Sequence, residues 1–374
     1  MGAHTVIVGA GASGSVIAAR LSERSDLSVL LLEAGPDYPP SVELPEDLAD
    51  GTRNSMSDHD WGYRHRPTRA MPVTFPMPRG QVVGGSSAVN TCIALRGHPA
   101  DYDAWASAGL SGWGWADCLP AFVRLERDLD LPSAPYHGAD GPLPVRRHPL
   151  SELVPWQAAF LDACAELGFA PCEDTNQPGA TGFGCHAMNK LDGRRISAAE
   201  AWLTAEVRAR ENLTIWDRTL VHRLVIERDR VVGLQIERDG ELTGLPCDRV
   251  VLCAGAHNTP GILVRSGLGP RADLERLGIP VVRELPGVGA TLLDHPGNAL
   301  FFLPRGGLEV TLTDPLIQTV LLAKIGDGPW HNDVQIQAGS IVPTEWGTFR
   351  AVTLMVSLCK PKSAGSLRIV STDP

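Results

Sequence analysis

The first 33 residues constrain the fold more tightly than any other stretch of the chain. His4-Thr5-Val6-Ile7-Val8 reads as a short apolar strand, and Gly9-Ala10-Gly11-Ala12-Ser13-Gly14 follows it without a break. Val16, Ile17, Ala19 and Leu21 then fall on one face of a helix, and Val29–Leu32 forms a second buried strand. A strand, glycine turn, helix and strand within ~30 residues make a βαβ unit, which commits the chain to a parallel sheet. Gly9 permits the tight turn, Gly11 lets a pyrophosphate approach the backbone, and Gly14 lets the helix pack on the sheet. The unpaired N–H groups and positive end of the helix suit that anion. Glu33 ends the second strand 19 positions after Gly14, close to the spacing for an acid that accepts from both hydroxyls of a ribose. The same carboxylate repels a 2′-phosphate. The unit therefore predicts a dinucleotide site that disfavours NADP, and by itself it does not separate FAD from NAD.

Composition narrows the class further. With 374 residues the chain exceeds one ordinary core, so two domains are expected. The net charge of −10, from 33 basic and 43 acidic side chains, repels a phosphate backbone, and no basic stripe overrides it. Nucleic acid is not an expected partner. None of the eight cysteines forms a C-x-x-C pair, which removes zinc-ribbon and thioredoxin-type readings, and no metal is expected. The start lacks the pattern of a signal peptide, and Val6 stands where myristoylation wants Ser or Thr. No apolar run approaches the ~20 residues that span a bilayer. Reduced thiols in a cytoplasm are the expectation, and the Asn212-Leu213-Thr214 sequon carries little weight there.

A second glycine turn lies in Pro78-Arg79-Gly80-Gln81-Val82-Val83-Gly84-Gly85-Ser86-Ser87-Ala88-Val89-Asn90-Thr91-Cys92-Ile93-Ala94. Its small side chains let backbone N–H groups approach a flat polar ring, although a packed loop would look the same. The segment from Gly80 to Asp103 resembles the first signature of the glucose–methanol–choline (GMC) oxidoreductases. Gly255-Ala256-His257-Asn258-Thr259-Pro260-Gly261-Ile262-Leu263-Val264-Arg265-Ser266-Gly267-Leu268-Gly269 resembles the second, and Leu285-Pro286-Gly287-Val288-Gly289 and Leu293-Asp294-His295-Pro296 follow in the family's manner. The resemblance covers essentially the whole chain. It implies FAD as cofactor, with Gly9, Gly11, Ala12, Ser13, Gly14, Glu33 and Ala34 around its ADP half. Arg79, Gly80, Val82, Gly84, Gly85, Ser87, Asn90, Thr91, Cys92 and Ile93 are implied to line the flavin and ribityl chain. Trp61 is placed near the flavin, Val221 at the adenine, and Cys253-Ala254-Gly255 at the return to the cofactor. Cys253 itself reads as a packed strand-end residue rather than a redox group. Gln81 departs from the family's usual basic residue. Val89 stands where some relatives carry the histidine that attaches FAD, so noncovalent FAD is expected.

The resemblance implies an α/β Rossmann-like FAD-binding domain with a discontinuous substrate domain built on an antiparallel sheet. Residues 1–149 and 190–300 are assigned to the first, and 150–189 and 301–374 to the second. Pro132–Pro149 reads as an irregular connection, and Ser151–Leu167 as a helix whose apolar face holds Leu153, Trp156, Phe160, Leu161 and Leu167. The aromatics of the first half, Trp105, Trp113 and Trp115 among them, read as core. The implied reaction is oxidation of an alcohol to a carbonyl, with flavin N5 taking hydride and a histidine taking the hydroxyl proton. Oxygen, a quinone or another carrier would reoxidise the flavin. The family's catalytic His, with its His or Asn partner, is expected beyond Pro374, so no catalytic residue is assigned within the chain. His257 and His295 read as structural, and His98, His137 and His186 as lacking partners. A truncated enzyme, a split enzyme with a complementing C-terminal fragment, and an FAD-binding protein without turnover all remain readings of that end. So does non-oxidative use of the fold, as a lyase or photodecarboxylase.

Overall fold

Val6, Ile7 and Val8 lose almost all contact with solvent because their strand has a parallel neighbour on each side. The computed structural model describes residues 4–374 except Ser57, Arg69 and Glu345. In it, His4–Val8 pairs with Ser28–Leu32 and Arg249–Leu252, and Leu213–Trp216 adds beyond Ser28–Leu32. Alternate residues point to opposite faces, so the strands feed two cores. Ile7, Val29 and Leu31 pack with Ala18, Val83 and Leu203, whereas Val6, Val8, Leu30 and Leu32 pack with Val221, Leu224, Leu234 and Ile236. The helix Ala12–Leu21 buries Gly14, Ser15, Ala18 and Ala19, a face narrow enough to lie close to the sheet.

The stretch Asn212–Leu224 holds parts of two strands. Leu213–Trp216 joins the parallel sheet, and Thr219–Glu227 joins an antiparallel sheet with Arg230–Arg238 and Glu241–Pro246. The chain changes sheets at Asp217-Arg218, where Arg218 takes the left-handed region at φ 46°.

A five-stranded antiparallel sheet has the order Gly297–Phe302, Val352–Leu358, Val334–Gly339, Thr319–Ala323, Gly182–Cys185. Its first strand straddles the boundary placed at residue 300. The helix Pro155–Glu166 covers part of one face with Phe160, Leu161 and Cys164, starting on a proline that needs no N–H partner. Leu167, expected on that apolar face, instead follows the helix as its cap and is 77% exposed. Among the described residues no helix is long and apolar enough to cross a membrane.

The proline-rich stretch 132–149 is more ordered than its composition suggests. Leu143–Arg147 is a strand between Glu126–Asp128 and Ala187–Met188. It is fixed by a buried charge cluster centred on His137, a residue for which the sequence offered no partner. His137 Nδ1 lies 2.5 Å from Glu126 Oε1, and Nε2 lies 2.9 Å from Asp174 Oδ2. Arg147 bridges Asp128 at 2.9 Å and Asp174 at 2.5 Å, while Arg96 reaches Glu126 at 2.5 Å. Burial lowers the affinity of His137 for a proton, but the hydrogen bonds to Asp174 and Glu126 outweigh it and raise the pKa to about 9. With His137 protonated, three cations face three carboxylates, and neither ring nitrogen keeps a lone pair for a metal.

A group whose pKa is raised by folding stabilises the fold fully below its unfolded value, near 6.5. That contribution fades as pH climbs through about 9. Replacing His137 by Phe is therefore expected to cost about 3–5 kcal/mol at pH 6, the usual cost of breaking a buried ion pair. The deficit should shrink above pH 9. Urea unfolding of both proteins at pH 6 and 9.5 checks this, and a deficit independent of pH would mean His137 acts by packing alone.

Candidate dinucleotide site

Two glycine turns meet back to back at the carboxyl ends of the parallel strands. Gly9 takes φ 95°, and a Cβ there would sit 2.5 Å from the carbonyl oxygen of Cys253. A Cβ on Gly85, itself at φ 53°, would lie 2.7 Å from Cα of Gly11. The amide of Gly84 donates to the carbonyl of Ala10 at 2.8 Å and locks the two turns together. The helix that begins at Ala12 has no side-chain cap and no acidic residue in its first turn. Its leading N–H groups are left for an anion.

Glu33 stands beside this floor. Its carboxylate is buried and accepts from the amides of Ala10 at 2.9 Å and Gly35 at 3.0 Å. Burial pushes its pKa up to about 7 although those hydrogen bonds, with one from Ala34, pull the other way. Glu33 and Ala34 line a cleft of about 630 Å³, together with Gly9, Gly11, Ala12 and Ser13. Val221, Cys253, Ala254 and Gly255 line it further along, and Gly80, Gly85, Ser87, Trp61 and Arg79 complete the part anticipated from sequence. Cys253 is half-buried at the cleft surface, and burial raises its thiol pKa.

Seven anticipated residues stand outside the cleft lining. Gly14 lets the helix approach, since a Cβ there would lie 1.9 Å from the Gly9 carbonyl. Val82 is buried with Leu48, Ala88 and Val89, and Gly84 forms the turn at φ 108°. Asn90 accepts from the Cys92 amide at 2.9 Å, and Thr91 is half-buried beside it. Cys92 takes φ 64° and turns its thiol inward toward the Gly51 carbonyl, where burial raises its pKa. Ile93 bridges to Met188. The whole segment hangs on Arg195, fully buried, whose guanidinium donates to the carbonyls of Asn90, Asp47, Leu48, Ala88 and Arg53.

The sequence reading missed a strap across the cleft. Arg64–His65 pairs with Phe75–Pro76, and Trp61 and Tyr63 are tied to Arg79 and Met77 by backbone hydrogen bonds of 3.0 and 2.8 Å. Tyr63 stacks on Trp61 at 4° and donates its hydroxyl to Asn258 Oδ1 at 2.5 Å. Its ring lies 5.4 Å from that of His257. His257, read as structural, and Asn258 thus line the cleft. The pattern that reveals them is a strand, Arg249–Leu252, running through Gly255 into a helix, as the first strand does through its glycines.

The GMC oxidoreductase family profile matches residues 3–297. The chain belongs to the GMC oxidoreductase family. It is 39% identical over 298 residues to the oxygen-dependent choline dehydrogenase of Rhizobium johnstonii, covering 79% of this chain and 53% of that protein. It is 37% identical over 300 residues to the 5-(hydroxymethyl)furfural oxidase of a Methylovorus species, covering 78% and 56%. The chain thus spans about half the length of these curated relatives. The crystal structure of pyridoxine 4-oxidase from Mesorbium loti superposes with a TM-score of 0.88 at 32% identity, over 99% of this chain and 74% of that one.

FAD is the cofactor of this family. The cleft of this GMC protein fits it: two facing glycines that leave no room for a Cβ at Gly85, an uncapped helix start, and a buried carboxylate beside them. Because Tyr63 latches the strap to Asn258, Tyr63→Phe is expected to release FAD several-fold faster without unfolding the protein. Loss of one hydrogen bond to an uncharged partner, about 1 kcal/mol, sets that scale. Flavin fluorescence recovery after dilution measures the rate, and an unchanged rate would mean the strap does not govern release.

Proposed function

We propose that this chain binds FAD noncovalently and belongs to an enzyme that oxidises an alcohol to a carbonyl. The observation that carries the reading is the glycine-floored cleft with Glu33 at its edge, in a chain of GMC ancestry. Residues 1–149 and 190–300 are assigned to holding the cofactor, and 150–189 and 301–374 to the substrate side. Gly9, Gly11, Ala12, Ser13 and Gly14 cradle the pyrophosphate with backbone N–H groups, and the carboxylate of Glu33 accepts from the adenosine ribose. Val221 and Ala34 flank the adenine, and Cys253, Ala254 and Gly255 carry the chain back past the cofactor. Trp61, Arg79, Gly80, Val82, Gly84, Gly85, Ser87, Asn90, Thr91, Cys92 and Ile93 shape the flavin end, either on its surface or by fixing the turn beneath it. Val89 supports noncovalent attachment, since its apolar side chain is buried among Leu48, Val82 and Ala88. Eight free cysteines suit a cytoplasmic setting.

When bound, FAD supplies a two-electron acceptor, taking hydride from the carbinol carbon and passing electrons on to oxygen, a quinone or another carrier. The substrates named for the relatives above, choline, 5-(hydroxymethyl)furfural and pyridoxine, all carry a primary alcohol. A small primary alcohol is the substrate class proposed for this protein. We place the base that takes the hydroxyl proton outside these 374 residues, in the portion of the relatives that the chain does not span.

Three outcomes test the reading. Acid precipitation of the purified yellow protein should release FAD to the supernatant, and primary alcohols should bleach the flavin only once the remaining portion of a relative's length is joined to the chain. Colour retained in the pellet, or bleaching by the chain alone, would overturn the respective half. A third outcome concerns pH. Free Glu33 holds its proton up to about 7, whereas ribose hydroxyls donate to the carboxylate form, so affinity for FAD should be full above pH 7 and fall below it. One linked proton sets a limit of about tenfold per pH unit. Glu33→Gln should bind FAD weakly and with no such slope, as read by equilibrium titration from pH 5 to 8.

A further inference from the structure

Arg265 ends the helix Gly255–Arg265, and its side chain enters the cleft that holds Glu33. Its Nε donates to the carbonyl of His222 at 2.7 Å, which fixes the guanidinium next to Val221 in the neighbouring strand. Gly261, one turn earlier, keeps the space open: a Cβ there would lie 3.1 Å from Nη1 of Arg265. Among the described residues the terminal nitrogens have no hydrogen-bond partner, and no carboxylate lies within ion-pair distance. Asp373 and Tyr63 act on this charge only through their fields, and burial depresses its pKa. Arg79, which also lines the cleft, donates one terminal nitrogen to the Pro78 carbonyl, whereas Arg265 is anchored through Nε and keeps both terminal nitrogens free among the described residues. A half-buried guanidinium held in plane, with terminal donors facing a cleft, is arranged for acceptors on a ligand.

We propose that Arg265 forms part of the seat for the adenylate half of FAD, donating its terminal N–H groups to acceptor atoms there. The inference rests on the FAD reading above and adds a residue to it. The position follows from the neighbours: Arg265 is bonded to the residue after Val221, and the strand of Val221 begins at Thr219, whose amide donates to the carbonyl of Glu33 at 2.8 Å. These links put the guanidinium on the side of the cleft lined by Thr219, Leu220 and Val221, where a planar cation can also stack on a purine.

Titration of the apoprotein with FAD, by flavin fluorescence, and with ADP alone, by calorimetry, tests the assignment. Arg265→Met is expected to weaken both ligands about ten- to a hundredfold, the loss typical of a hydrogen bond to a charged group. Arg265→Lys should recover part of that loss, and the thermal unfolding midpoint of the apoprotein should not fall. Unchanged ADP affinity in Arg265→Met would overturn the inference, as would a lowered unfolding midpoint that accounts for the loss. Failure of the parent protein to bind FAD would overturn the FAD reading instead, while the ADP arm would still judge Arg265.

Discussion

The contact between Gly11 and Gly85 is the constraint on which the rest of the site depends. A Cβ on Gly85 would come within 2.7 Å of Gly11 Cα, so no larger residue lets the two turns meet. Their meeting aligns the start of the first helix with the serine-bearing turn and sets the width of the cleft between them. Three further features serve this junction. The Gly84 amide is bonded to Ala10, the Ala198 amide to Ser87 Oγ, and the Arg195 guanidinium gathers five carbonyls from segments that are far apart in sequence. Arg195 has no carboxylate partner within ion-pair distance among the described residues, and its hydrogen bonds to carbonyl dipoles offset the cost of its burial.

Charge is handled in two ways in this protein. Around His137 every buried charge meets an opposite one, and the cluster fixes the Glu126–Arg147 region. In the cleft the opposite holds: Glu33 carries a carboxylate whose pKa burial raises to about 7, and Arg265 keeps terminal donors without a partner. Groups left uncompensated in this way are costly to the empty fold, and a ligand that supplies the missing partners gains what the fold forgoes. The contrast separates structural ion pairs from binding groups without reference to any relative.

The proposed nucleotide end of the site was legible in the sequence because it is local. Gly9, Gly11 and Gly14 act through backbone geometry and Glu33 through a carboxylate at the end of the second strand, all within a single βαβ unit whose spacing encodes the arrangement. Tyr63, Asn258 and Arg265 were not legible. Tyr63 and Asn258 are 195 positions apart, and nothing in either neighbourhood marks the other. His137 was missed for the same reason, since its partners lie at 126 and 174. The opposite error occurred at Leu167, where helical spacing continued on paper past the point at which the chain leaves the helix.

The sequence by itself determined the parallel sheet, the glycine turn between strand and helix and the acid that ends the second strand, because short-range periodicity and glycine placement leave the backbone few alternatives. The two GMC signatures added the family. Only the tertiary structure decided which side chains face the cleft. It turned Cys92 inward beneath the glycine–serine segment, brought the strap of Trp61 and Tyr63 over the helix that carries His257 and Asn258, and left Arg265 in the lining of the cleft. These placements depend on how separate elements pack, and a residue's neighbours across a packed interface are not written in its own local pattern.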